Sequence, residues 1–552
     1  MRPLAIRTGQ HRTLLVSMIW LACGALYLTL PPEPDQFHHA YMGWRWIEGD
    51  LPYRDFIDMN WPGVIGLNAV ADWIFGVHIW SWRAADFLLF AMSAVFLADL
   101  VRKAQGADAA RYCLVLSPLI YVAMDAWISG QHDMSATHFL VVALWCHVRS
   151  YLERNWRWQL GAGLFLGAAM LCKPTVGVMG ALMPLHALAM RSSGRVVLVG
   201  TSVLACSTLA TLAAAMAGVV ALGTPLRDLI DAIYTYNAST QFVPNDMWME
   251  HTAGAHTPNV MHALVAKVWH SLWHEKSRWW MAISLLSLPA LVHWLRPSHR
   301  TFASSALLLL GLTAVFSFVA QARGFGYHLS PGVPMLIAGL SASIALARGH
   351  VDDGVAGWDT RFSSVYIGVA SLWIALRIVV AYYSLPLSLM AADYRIHLSR
   401  FNAGDQLVAS DVVDFAHKVE QTDRSGCLLS VGTVSAVNYL SKRRQPTRFY
   451  YFPVIAKARP PLPMATKWLD LWEADLKKAS CHYVLIAAQV DRSWLHEPGR
   501  AAQALRTLLR DYRRAGVLGA TGGMVIYERA APPANPEPSG FQTEIRRPTQ
   551  SR

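Results

Sequence analysis

The chain has 552 residues, 54% of them hydrophobic and only 15% charged, against roughly 25% charged in an average soluble chain, which excludes three ordinary soluble domains in a row. Its formal net charge is +12, from 48 Lys and Arg against 36 Asp and Glu. The basic residues gather in short loops between apolar runs, the positive-inside pattern of a membrane protein, and no basic stripe with interleaved aromatics points to nucleic acid.

A spanning helix needs about 20 mostly apolar residues. In chain order such stretches occupy 12–30, 84–101, 111–128, 134–152, 158–172, 175–190, 196–221, 279–295, 302–320, 329–347 and 363–384, eleven in all. The fifth and sixth are short and meet at Lys173-Pro174, which reads as a turn at the membrane surface. Segment 62–79 is apolar but short and holds Asn68 and Asp72, so an interfacial or re-entrant helix is predicted there. Leaving it out of the count, with the N-terminus inside, keeps the basic loops 102–111, 149–157, 191–195, 296–300 and 348–361 inside. A membrane domain over 1–384 follows, with outer loops at 31–83 and 222–278, and the C-terminal part then lies outside. The 22 Trp suit interfacial belts.

From 385 to 530 the composition is that of a soluble protein. A helix is predicted over 401–420, then strand 427–432, helix 434–440, strand 448–453, helix 467–478, strand 481–488, helix 500–515 and strand 522–530. Strands alternating with helices predict a small external α/β domain. Residues 531–552 are polar and rich in proline, a disordered tail. The fold class is therefore mainly α: a polytopic helix bundle with a small α/β domain. Of seven cysteines, five lie in or beside spans, where a thiol is ordinarily a small hydrophobe. Cys427 and Cys481 each open a predicted strand; neighbouring parallel strands would pair them in a disulfide, and two free buried thiols are the alternative.

The residues able to do chemistry lie at the outer ends of the spans. Asp35 follows the first span, with His38 and His39 on the same helical face. Arg54, Asp55 and Asp58 come next. For any one of these a solvated loop is the plainer reading; their concentration at the membrane face favours a site. Asp133 stands where the fourth span begins, beside His132, and carboxylates at that depth are costly and usually functional. His132 lacks a second ligand at diagnostic spacing, so the metal signal is weak. Lys173, between two apolar helices, calls for an anion. Arg323, Tyr327 and His328 occur together at another outer edge, and a positive cluster there suits a phosphate or pyrophosphate headgroup, with interfacial snorkelling as the alternative. Arg377, inside the last span, is a further candidate.

In this order the features resemble a family. An acidic residue follows the first span, and then comes GDLPYRDFIDMNWPG (49–63). An Asp opens the fourth span, Lys-Pro follows the fifth, and RGFGYHLSP (323–331) enters a late one. The pattern over about 1–350 is similar to the GT-C superfamily of membrane glycosyltransferases. The bacterial branch with lipid A aminoarabinose transferase and the lipopolysaccharide-core galacturonosyltransferases is nearest, and the protein O-mannosyltransferases are more distant. The resemblance implies a polyprenyl-phosphate sugar donor, an acceptor that is an envelope glycan, lipid or protein, and Asp35 at the catalytic centre. It implies work on the outer face of a bacterial inner membrane. Many relatives carry Asp-Glu where this chain has Asp35-Gln36, and relatives differ in needing a divalent metal, so the cofactor stays open.

On that reading Asp35 activates or orients the acceptor hydroxyl, while Lys173 and Arg323, with Tyr327 and His328, hold the departing phosphate. Arg54, Asp58, His39, His132 and Asp133 orient substrate; a sugar hydroxyl, a metal or a nearby arginine suits Asp133. Asp35, Asp133, Lys173 and Arg323 are expected around one outward-facing pocket. The rival class is a transporter or flippase of a lipid-linked or small solute. Against it stand the lack of an inverted repeat and the charges at span ends instead of the midplane.

Overall fold

The computed structural model of the chain describes residues 3–124, 126–240, 278–321, 325–349, 360–404, 407–422, 426–433, 435–456, 463–519 and 522–530. These divide into two compact units: Met1–Pro32, Asn60–Leu226 and Asn237–Asp393 in the first; Glu33–Met59, Arg227–Tyr236 and Tyr394–Arg552 in the second. The grouping cuts across the boundary near 385, because residues 33–59 of the first outer loop and 227–236 of the large one group with the tail.

The helices of the first unit are α1 Pro3–Leu28, then (after α2, Pro34–Ile47, of the second unit) α3 Pro62–Phe75, α4 Ser81–Gln105, α5 Ala107–Ala123, α6 His132–Leu152, α7 Arg157–Cys172, α8 Met179–Ala189 and α9 Gly194–Ala221. Later come α10 Arg278–Leu295, α11 Phe302–Gln321, α12 Val333–Ala347 and α13 Thr360–Tyr382. Each of the eleven apolar stretches read from the sequence falls on one of these helices, and 62–79 is the short helix α3. Among the described residues five helical segments are by themselves long and apolar enough to cross a membrane: Ser81–Gln105, Gly194–Ala221, Phe302–Gln321, Gly326–Ala347 and Ser363–Tyr382. The others are shorter, as α5 with 17 residues and α7 with 16 are, or open on polar residues, as α6 does with His132 and Asp133.

Small residues bring the helices close. A Cβ on Gly163 of α7 would sit 1.8 Å from Ser207 Oγ of α9, and one on Gly167 would sit 2.7 Å from Thr211 Cβ. Thr208 Oγ1 donates to the Gly163 carbonyl across the contact at 3.2 Å. Lipid offers little hydrophobic drive between helices, so such close backbone approach is what holds spans together. Outward faces stay apolar: on α13, Val365, Val369, Leu372, Leu376 and Val379 are all exposed, as a lipid-facing surface requires.

In the second unit a four-stranded sheet runs in the order β1 (Leu429–Val431), β2 (Tyr483–Ala487), β4 (Met524–Arg529), β3 (Tyr512–Leu518). β1 and β2 are parallel, and the other two pairs are antiparallel. All five residues of β2 are buried, as expected of a central strand covered on both faces. Helix Ala409–Thr422 buries Val412, Phe415, Ala416 and Val419, and helix Ala465–Lys478 buries Trp468, Trp472 and Leu476, the i, i+3, i+4 stripes of amphipathic helices. Cys427 and Cys481, just ahead of β1 and β2, are disulfide-bonded with Cα atoms 5.1 Å apart.

Three tail expectations need correction. Residues 448–451 are not strand, and Phe452–Ala456 is helical: Phe449 and Phe452 bury against Trp468 and Trp494, and Phe449 against Trp472 as well, not in a sheet. The helix read over 500–515 stops at Leu509, and Tyr512–Leu518 is the edge strand β3, paired with β4. Asn402–Gly404 and Leu407–Val408 form a short antiparallel pair before the first tail helix. Residues 241–277 of the large loop and the tail 531–552 lie outside the described residues.

Candidate active site

Sequence reading placed Asp133, His132, Lys173, Tyr327 and His328 at span ends; in the first unit they form one cluster. Lys173 is set by the residue after it. Proline disfavours the helical region for its predecessor, and Lys173 lies extended at φ −150°, ψ 101°, ending α7 at Cys172 before a short 3-10 turn at Pro174–Val178. Its ammonium lies 3.1 Å from Asp133 Oδ2 and 2.9 Å from His132 Nε2. His328, on the 3-10 turn Gly326–Gly332 between α11 and α12, brings Nδ1 to 3.4 Å from Asp133 Oδ1. Gln321, the last residue of α11, donates to the same oxygen at 3.3 Å. Sequence reading missed Gln321; a lone amide ending an apolar run gives no pattern to find.

The carboxyl of Asp133 is fully buried, while Lys173 and His132 keep 13% and 10% of their side chains exposed, so the cationic side of the cluster is the one that meets its surroundings. His132 Nε2 faces both charges, 2.9 Å from the ammonium and 3.1 Å from Asp133 Oδ2. Neutral His132 with its proton on Nδ1 accepts from Lys173; protonated, it donates to Asp133. Tyr327 packs edge-on to His328, with ring centroids 4.5 Å apart, and stacks on Phe325 at 5.3 Å. Arg323 lies outside the described residues. Arg377 is half-buried on α13.

A second buried cluster in this unit was not foreseen. Asp86 Oδ2 accepts from Tyr27 at 2.6 Å and Tyr121 at 2.7 Å, and His138 Nε2 lies 3.7 Å from Oδ1. Arg83, one turn before it on α4, is also fully buried. The signal was in the sequence: Arg83 and Asp86 are charges three apart at the edge of an apolar run, where charge is expensive.

The second unit holds Asp35, His38, His39, Arg54 and Asp58. Helix α2 starts with a capping box, Glu33 with Gln36, in which Gln36 Oε1 accepts from the Glu33 amide at 3.2 Å. Gln36 thus caps the helix. Asp35 sits half-buried in the first turn, where the helix dipole favours an anion. His38 Nε2 lies 2.6 Å from the fully buried Asp58 Oδ2, and its Nδ1 lies 3.3 Å from Ser435 Oγ. Tyr450 stacks on the imidazole at 4.6 Å. Burial first, and then the Asp58 charge, push the phenols of Tyr53 and Tyr450 well above their ordinary range, so both remain protonated. Tyr53 takes a left-handed φ of 65°, a strained conformation outside glycine, and its amide donates to Phe56 O at 2.7 Å to close the turn before Asp58. Arg54 pairs with Asp55 at 2.7 Å, exposed, and not with Asp35 or Asp58. His39 is buried. Among the described residues no group of three or more His, Cys, Asp or Glu side chains is arranged to hold a metal ion.

Residues 67–236 match the family described as dolichyl-phosphate-mannose-protein mannosyltransferase. The fold is similar to crystal structures of ArnT from Cupriavidus metallidurans. With the undecaprenyl phosphate-bound form the identity is 15%, over 95% of this chain and 99% of that one, at a TM-score of 0.53. With the apo form it is 15%, over 96% and 100%, at 0.50. No curated protein sequence matches. The apolar helices are those of a multi-pass membrane protein, and at 15% identity the likeness to these crystal structures is one of fold.

Proposed function

We propose that the chain moves a sugar from a polyprenyl-phosphate donor to a cell-envelope acceptor, on the outer face of a bacterial inner membrane. One observation carries this reading: Lys173, His132 and His328 gather around a single buried carboxylate, with Lys173 and His132 partly open to the outside of the cluster. An ammonium held by a buried counter-ion, with imidazoles beside it, is pre-arranged for a phosphate leaving group and needs no reorganisation as its charge develops. The likeness to a structure carrying undecaprenyl phosphate supports the choice of lipid. Asp35, in the first turn of α2, takes the role of base toward the acceptor hydroxyl. As the acceptor oxygen bonds to the anomeric carbon, the bond from carbon to phosphate oxygen breaks and the acceptor proton passes to the carboxylate. The basic loops favour an external tail domain. Envelope sugar and acceptor are found by comparing the glycans of deletion and wild-type cells by mass spectrometry. Purified protein given a polyprenyl-phosphate sugar and envelope acceptor should release free lipid phosphate, and Asp35→Asn should abolish release at normal expression. Full release by Asp35→Asn would remove Asp35 from the mechanism, and solute uptake without release would favour a transporter.

A further inference from the structure

Arg83 is a buried cation inside a membrane helix, and its hydrogen bonds reach three loop carbonyls, those of Pro31, Ala126 and Ser129, besides the hydroxyls of Tyr27 and Ser129. Nη1 donates to Ser129 O at 2.9 Å and to the Tyr27 hydroxyl at 2.9 Å; Nη2 donates to Pro31 O at 2.8 Å and Ala126 O at 3.4 Å. Its charge is balanced through Tyr27, which passes the hydrogen bond on to Asp86 at 2.6 Å. The neighbouring Trp82 donates to Gly130 O at 2.7 Å. Consecutive carbonyls at Ser129 and Gly130 are thus fixed from α4 immediately before Gln131, whose own carbonyl caps the first turn of α6 through the amides of Met134 and Ser135. Asp133 lies in that turn. Gly130 is part of the same fit: its φ is +75°, and a Cβ there would come within 2.8 Å of Arg83 Nη1 and 3.2 Å of Trp82 Nε1.

A planar guanidinium offers five donors in a rigid fork. Pro31 and Ser129, both bound by it, each lie four residues upstream of an acidic residue, Asp35 and Asp133. An ammonium in its place would keep the charge and lose the fork. We infer that Arg83 is a positioning residue for the Asp133 cluster: it fixes the entry of α6, and so the geometry in which Asp133 holds Lys173. The inference rests on the proposed function only where it concerns the lipid phosphate; the geometric part stands apart from it.

The test uses the full-length protein in detergent, as wild type, Arg83→Lys and Gly130→Ala. Lys173 reactivity toward an amine-acylating reagent is read by peptide mass spectrometry, and binding of undecaprenyl phosphate is read alongside it. Both variants should acylate Lys173 several times faster than wild type, because the ion pair that shields the amine is displaced, and should bind undecaprenyl phosphate about tenfold more weakly. Gly130→Ala keeps every charge, so it decides the matter if Arg83→Lys fails to fold. Unchanged Lys173 reactivity in a folded variant whose melting temperature has dropped overturns the inference and leaves Arg83 a general scaffold residue. If wild type itself does not bind undecaprenyl phosphate while the variants still expose Lys173, the positioning inference stands and the lipid reading falls.

Discussion

Asp133 and Asp58 are both fully buried carboxylates, one in each unit, and they are held in different ways. Asp133 draws on Lys173, His132, His328 and Gln321, partners from four separate stretches of the first unit. Asp58 is bonded by His38, twenty residues earlier, at 2.6 Å, and by Tyr450 at 3.5 Å. The difference separates a charge centre from a local tie. Partners converging from several helices give a site whose cations are held by something other than the substrate. The bond from His38 to Asp58 ties α2 to its own following loop.

The comparison can be broken by removing each charge. Asp133→Asn leaves Lys173 without its counter-ion, and loss of one member of a buried pair costs about 3–5 kcal/mol; the full-length protein should unfold correspondingly earlier in a detergent thermal melt. Adding Lys173→Met should recover much of that loss, which a double-mutant cycle measures. Replacing Cys427 and Cys481 by Ala should cost about 2–4 kcal/mol through the unfolded chain, with amide exchange rising first around β1 and β2. Asp58→Asn should cost less, about 1.5–3 kcal/mol, the worth of a hydrogen bond to a charged group, and its effect should stay in the exchange of residues 34–58. A cost equal to that of Asp133→Asn would erase the distinction. The smallest effect concerns Asp55. Burial pushes its pKa up, but the bonds from Arg54 and the Leu51 amide outweigh it and hold the carboxyl below its ordinary value. Its stabilising share is therefore complete above the unfolded pKa of about 4 and fades as pH falls toward the depressed folded value, with slightly faster exchange in the turn at 51–56.

Much of this was legible in the sequence. Long apolar runs located the eleven helices, and the Asn68 and Asp72 interruptions marked α3 as short. The residues of the Asp133 cluster were selected one at a time, because charge at a span end is costly wherever it occurs. Their pairing was not legible: Lys173 is 40 residues from Asp133, and His328 is 195 away, and periodicity says nothing at such separations. Arg83 and Asp86 are hard to read as a site because the apolar run begins at residue 84, which places the arginine in the preceding loop. In the tail, RFYYFP (448–453) has strand composition, yet its aromatic rings bury against Trp and His side chains, where packing overrides propensity. The segment 512–518 continues a helical pattern in sequence but pairs with Met524–Arg529 as the edge of the sheet, where strand pairing overrides the local pattern.

The central claim is that the Asp133 cluster serves a lipid phosphate, and binding of undecaprenyl phosphate to wild type and to Lys173→Ala tests it most directly. With both proteins folded in the same detergent, isothermal titration should show saturable binding to wild type and at least about tenfold weaker binding to the variant, the loss expected when a charge-assisted contact is removed. Equal affinity in the two proteins would contradict the assignment of this cluster to the donor.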